Sequence, residues 1–196
     1  MTEIRPSDLF VDVGVFIGLY TVAVAKRVGS EGRVVGFEPD STNYLAAREH
    51  VRLNGVEDRV ELIQAAAGPC DEFVSFKPGG DMAHVSSDPG DATCKVECVT
   101  LDKVFIGKRV DVLKIDVEGF EERVLQGAAG LLKDAERSPR AIYIEVHPYA
   151  WPEVRTSSDS LLGLLDRCGY EARSVEGRSV KKIAAYGEIV ARKKRL

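Results

Sequence analysis

The sequence has no C-x-x-C pair, no apolar run long enough to cross a membrane, no excess of positive charge and no low-complexity segment. Each absence removes a class of protein. The four cysteines, Cys70, Cys94, Cys98 and Cys168, neither frame a disulfide scaffold nor match the spacing of a zinc site, so reduced thiols are expected. Cys94 and Cys98 stand four apart in the alternating stretch CKVECV, where a strand would turn both to one side as half-buried core thiols. No secretory signal opens the chain, and a cytoplasmic protein is expected. The longest apolar run, residues 9–25, carries Asp12 and two glycines. It is about 17 residues long, short of the ~20 that a spanning helix needs. With 27 basic against 31 acidic residues the net charge is -4, which gives no cationic field for nucleic acid. The terminal RKKRL, 192–196, reads as a solvated charge run.

What is present is one domain's worth of α/β sequence. LFVDV (9–13), RVVGFE (33–38) and RVELIQA (59–65) read as buried strands, with helices at 17–28 and 41–54 between them. EFVSFK (72–77) and CKVECVTL (94–101) alternate with period two around a polar stretch at 78–93, which predicts a β-hairpin insertion with a long loop. The rhythm resumes with VDVLKIDV (110–117), a helix over 119–133, AIYIEVH (141–147), a helix over 158–168, and strands near 170–175 and 187–193. No helix separates the last two, so one of them enters antiparallel. A doubly wound, mostly parallel seven-stranded sheet with a reversed last strand suits a class I methyltransferase better than a six-stranded dinucleotide fold.

In such a sheet ligands bind beyond the carboxyl ends of the strands. The first strand runs into DVGVFIG, with Gly14 and Gly18 in a G-x-x-x-G turn. Glycine there allows a sharp turn and close approach of a ligand, or simply close packing of helix on strand. The second strand ends in FEPD, where Glu38 stands at the place of an acid that accepts both hydroxyls of an adenosine ribose. A dinucleotide needs a G-x-G-x-x-G cradle for its pyrophosphate, and here the position two after Gly14 is the bulky Phe16. S-adenosylmethionine has no phosphates, and its sulfonium suits a nearby acid such as Asp12.

FVDVGVFIGLYT, GRVVGFEPDSTNY, VTLDKV, DVLKIDVEGFEERVLQGAAGLL and IYIEVH, in that order from about residue 9 to 148, resemble the FkbM-type family of S-adenosylmethionine-dependent methyltransferases. The most specific element is KIDVEGFE, 114–121. The resemblance implies methyl transfer from S-adenosylmethionine, usually to a hydroxyl of a sugar, glycan or natural-product acceptor. It places Asp12, Gly14 and Gly18 on the cofactor's first turn and Glu38 on the ribose, with Pro39 and Asp40 lining the adenosine. Gln64 and Ala65 would flank the adenine, and Asp116 would face the methionine end or the transfer site. The chain departs from the family turn, which has Asn where this chain has Phe16 and Ala where it has Val15; loss of that polar contact implies weaker cofactor binding. Only eight residues precede the first strand, so a lid over the acceptor would come from the 78–93 loop, from another subunit of a homodimer, or from nothing.

Transfer to an alcohol needs positioning and a base. Asp116, Glu118, Glu145 and His147 stand near the right strand ends, and His147 has the titration range of a general base. Asp116 and Glu118 also precede a helix, where acids favour the positive end of the dipole, and that alone would account for them. Lys114, two before Asp116 on the same face, should pair with one of the acids. A divalent cation on Asp116, Glu145 and His147 is a rival arrangement, but hard cations prefer all-oxygen shells, so no metal is expected. His50 reads as a helix-face residue and His84 as a loop residue. Tyr149 and Trp151, in PYAWPEVRTS, would stack on a sugar ring or close the core. The rival functions are an NAD-dependent oxidoreductase and a non-catalytic cofactor-binding module.

Overall fold

The computed structural model describes residues 3–80, 83–85 and 94–194. Its centre is a seven-stranded sheet of β1 (Leu9–Val13), β2 (Arg33–Phe37), β3 (Val60–Ile63), β8 (Val112–Ile115), β9 (Ala141–Val146), β10 (Tyr170–Ser174) and β11 (Gly187–Lys193), in the order β10-β11-β9-β8-β1-β2-β3. β11 runs antiparallel to both neighbours, and the strands from β9 to β3 are parallel. The chain order reverses between β1 and β8, which is where such sheets bind ligands.

Because successive side chains on a strand point to opposite faces, the apolar runs divide between two cores. Val11, Val13, Leu113, Ile115, Ile142 and Ile144 join the larger cluster, while Phe10, Val112, Ala141 and Tyr143 join the smaller one. Helices α1 (Leu19–Val28) and α2 (Ser41–Leu53) follow β1 and β2, and α2 is capped by Asp40, whose carboxylate accepts the N–H groups of Thr42 and Asn43. α7 (Ser158–Arg167) starts in a capping box between Ser157 and Ser160.

The expected hairpin is part of a larger unit. β4 (Ala66–Ala67), β5 (Glu72–Lys77), β6 (His84–Val85) and β7 (Cys94–Val99) form a second sheet in the order β4-β7-β5-β6. Of the expected 78–93 loop, residues 81–82 and 86–93 lie outside the described residues, as do the last two of the terminal basic run. His84 belongs to β6 and pairs with Lys77 across the ladder, so it is a strand residue and not a loop residue. Cys98 is fully buried but Cys94, at the outer end of β7, is exposed, so the two thiols do not share a core.

After α3 (Leu101–Val104), the helix expected over 119–133 divides into α4 (Glu121–Gln126) and α5 (Ala129–Lys133). Periodicity shows no break there, but contact does. A Cβ on Gly127 would lie 1.8 Å from the Gly68 carbonyl oxygen, so the chain passes the small sheet's backbone too closely for a side chain. The short α6 (Trp151–Val154) completes the helices of the described residues.

Candidate active site

A cleft of about 840 Å³, its open mouth included, lies at the carboxyl ends of β1, β2, β8 and β9, with Phe76, His84 and Val85 of the small sheet on one side. Three loops build it. The first follows β1. Gly14 (φ +83°) packs so tightly on the next loop that an added Cβ would stand 1.7 Å from the Asp116 carbonyl oxygen. Phe16 also has a positive φ (+52°), a conformation costly for a bulky residue, and its half-exposed ring lines the cleft. Gly18 (φ +87°) is the N-cap of α1 and packs against Ala47, outside the cleft wall.

Asp12 lies beneath this loop. It is wholly buried and accepts the Thr21 hydroxyl at 2.6 Å. Its register partner on β8 is Lys114, whose Nζ is 3.3 Å from Asp12 and 3.4 Å from Asp116. Burial alone would depress the Lys114 pKa, but the two carboxylates outweigh it and hold the value above that of an ordinary lysine. Lys114 thus pairs with both acids, and Asp12 supports the turn from behind rather than lining the cleft.

The second loop carries Glu38, which is 5% exposed. Its carboxylate accepts the N–H of Phe16 at 2.7 Å and of Asp40 at 2.9 Å. Burial pushes its pKa up to about 7, against the lowering effect of those hydrogen bonds. A carboxylate so desolvated, on the wall of a cleft, is suited to the two hydroxyl donors of a ribose. Pro39 and Ala65 also line the cleft, whereas Gln64 is exposed and outside it.

The third loop joins β8 to α4 and brings together an imidazole and three acids. His147 is 2% exposed, with Nε2 3.3 Å from Glu118 Oε1 and 4.0 Å from Asp116 Oδ1. Behind the ring, Nδ1 meets Glu121 Oε1 at 2.8 Å. Glu121 is fully buried and also accepts the Trp151 indole N–H at 2.8 Å and the Gly119 N–H at 2.9 Å. Three donors on one carboxylate assign the proton to Nδ1 in the neutral ring and leave Nε2 facing the acids. Burial opposes charge on the ring, yet the Glu121 hydrogen bond and the charges of Glu118, Glu121 and Asp116 raise the His147 pKa above the usual histidine value. Burial also raises the Asp116 carboxyl, with Lys114 pulling the other way. The tyrosine hydroxyls hold the outer acids: Tyr149 donates to Glu118 at 2.6 Å, and Tyr186 donates to Glu145. Asp116, Glu118 and Glu145 line the cleft.

A family model described as the methyltransferase FkbM domain matches residues 12–172 of this sequence. The chain belongs to the FkbM methyltransferase family. Its cofactor is accordingly S-adenosylmethionine. A ribosomal RNA small subunit methyltransferase H from Mycoplasmopsis pulmonis (strain UAB CTIP) is 29% identical over 84 residues, 43% of this chain and 25% of that protein. Among solved structures, an S-adenosylmethionine-dependent O-methyltransferase from Thermotoga maritima matches with a TM-score of 0.56 at 16% identity, over 98% of this chain and 62% of that one. Fibrillarin from Aeropyrum pernix, solved with natively bound S-adenosylmethionine, matches with a TM-score of 0.51 at 14% identity, over 96% and 68%. The FkbM chain therefore spans less than two thirds of the first two relatives, and the structural likenesses establish the fold.

The cleft of this FkbM domain brings together Gly14, Phe16, Glu38, Pro39, Ala65, Asp116, Glu118 and Glu145, with His147 buried behind the two acids nearest it. It leaves Asp12, Gly18 and Gln64 off the wall. Of the two aromatic residues expected to stack or close the core, Trp151 is buried and Tyr149 is exposed. Sequence reasoning gave no role to Glu121, although the residue stands inside KIDVEGFE. Its signal is an acid at the start of a helix that turns its first residues inward. Tyr186 sits in a turn-rich segment, and nothing in its local sequence marks it.

Proposed function

We propose that this methyltransferase moves the methyl group of S-adenosylmethionine to a hydroxyl of a small-molecule, sugar or natural-product acceptor. The observation that carries the reading is the buried imidazole held by Glu121 with Nε2 turned to Asp116 and Glu118 at the cleft. In this reading Glu38 binds the ribose hydroxyls, and the adenosine lies between Pro39 and Ala65. The sulfonium faces the Asp116 end of the cleft. The acceptor hydroxyl enters from the side of Tyr149 and Tyr186, in line with the methyl–sulfur bond. Its oxygen attacks the methyl carbon, the carbon–sulfur bond breaks to give S-adenosylhomocysteine, and the hydroxyl proton passes to the acid–imidazole cluster. Displacement chemistry of this kind depends chiefly on alignment, which the tightly packed Gly14 and Asp116 loops supply. An oxidoreductase would need a pyrophosphate cradle, and the side chain of Phe16 occupies that position.

Thermal denaturation provides the first test. S-adenosylhomocysteine is expected to raise the melting temperature, NAD to leave it unchanged, and Glu38→Ala to abolish the shift. A shift with NAD alone would contradict the assignment. Glu118→Gln and His147→Ala should each lower methyl transfer by about 100-fold or more while leaving the S-adenosylhomocysteine shift intact. Full activity in either variant removes that residue from the chemistry.

A further inference from the structure

The ring of His147 is fixed by Glu121, Trp151 and Gly119 on its buried side, and Nε2 makes no hydrogen bond among the described residues. A lone pair there faces two carboxylate oxygens, Glu118 Oε1 at 3.3 Å and Asp116 Oδ1 at 4.0 Å. Three electron-rich atoms so close together repel one another, and a positive charge between them would relieve that repulsion. A proton on Nε2 serves Glu118, but Asp116 lies beyond hydrogen-bond reach. A divalent ion serves all three.

We propose that Asp116, Glu118 and His147 form a divalent-cation site with its remaining positions open to the cleft. The three donor atoms lie within 4.8 Å of one another. An ion about 2.1 Å from each would set them roughly 3 to 4.3 Å apart, so side-chain adjustments of a few tenths of an ångström complete the shell. The other oxygen of each acid is already held. Glu118 Oε2 accepts the Tyr149 hydroxyl at 2.6 Å, and Asp116 Oδ2 lies 3.4 Å from the Lys114 ammonium. This leaves Oε1 and Oδ1 for the ion. The carboxylate behind the histidine is the usual support of a metal-bound imidazole. Two carboxylates and a neutral ring balance a charge of two, and the nitrogen donor favours Mn²⁺, Fe²⁺, Co²⁺ or Zn²⁺ over Ca²⁺ and Mg²⁺. With the ion in place His147 is a ligand and not a base, and the ion itself acidifies a hydroxyl brought to one of its open positions.

The site deepens the proposed function, on which it rests for the role of the ion but not for its binding. Metal-stripped protein titrated with MnCl₂ and, separately, ZnCl₂ is expected to bind one ion per chain, read by calorimetry and by Mn²⁺ electron paramagnetic resonance. Affinity should fall at least tenfold in Glu118→Gln and be lost in His147→Ala, with the circular dichroism of both unchanged. His147 is buried, and if circular dichroism shows that its replacement does not fold, Glu118→Gln decides alone. Absence of stoichiometric binding at millimolar ion, or an unchanged affinity in Glu118→Gln, overturns the site. S-adenosylhomocysteine binding is measured separately on the metal-stripped protein, so that absence of cofactor binding there, alongside stoichiometric ion binding in the metal titration, counts against the methyl-transfer reading of the cleft and leaves the ion site standing.

Discussion

Glu38 has backbone N–H groups for partners where an ion pair would give it a cation, and burial leaves its pKa at about 7. With the ribose on Glu38 as proposed, its hydroxyls would donate to the ionised form, and cofactor binding would compete with a proton. The affinity for S-adenosylhomocysteine, followed by calorimetry, is expected to fall about tenfold between pH 8 and pH 6, with proton release on binding at the lower pH. A flat profile would place the ribose elsewhere. The same shift acts on stability. The folded carboxyl binds its proton more tightly than the unfolded one, so its stabilising contribution is complete below about pH 4.5 and is lost as pH rises through about 7. For a side chain this buried the effect is on the order of 3 kcal/mol, seen as a fall in stability between about pH 4.5 and pH 8 in denaturant titrations of the cofactor-free protein, and Glu38→Gln, which does not titrate, should remove that pH dependence.

The elements around the cleft are held by close backbone contact. Gly14 lies against Asp116, and Gly127 lies against Gly68. Gly14→Ala adds a clash to a backbone at φ +83°, and a loss of about 3 kcal/mol or more is expected in chemical denaturation, together with weakened cofactor binding. Gly127→Ala should likewise destabilise, because its nearest neighbour, the Gly68 carbonyl, is backbone and has no flexible end to move. These contacts also explain which elements the sequence made legible. Strands such as LFVDV and EFVSFK are continuous or alternating apolar runs, and their limits follow from that pattern; that Lys114 pairs with an acid was legible from its place on a buried strand, whereas its second partner, Asp12, comes from the register of β1 against β8. The split between α4 and α5 depends on a backbone 59 residues away in the sequence, and β4 is two residues long. The sequence pattern carries neither. The cleft residues of FEPD and KIDVEGFE were legible from their position after strands, whereas the depth of Asp12 and the support of His147 by Glu121 depend on packing across the sheet.

For the molecule as a whole, the small sheet stands against the candidate cleft, with Phe76, Gly80, His84 and Val85 on the wall and the Asn43 amide donating to the Gly80 carbonyl at 3.0 Å. A bound cofactor would join this sheet to the main one. Amide hydrogen exchange at residues 76–80 and 83–85 is therefore expected to slow when S-adenosylhomocysteine binds, and unchanged exchange there would separate the small sheet from the site. Among the described residues no helix is long and apolar enough to cross a membrane. The most direct test of the proposed chemistry is a crystal structure with S-adenosylhomocysteine bound. The expected result has Glu38 on both ribose hydroxyls and the sulfur directed toward the space between Asp116, Glu118 and His147. A sulfur directed away from that cluster, with the ribose off Glu38, would contradict it.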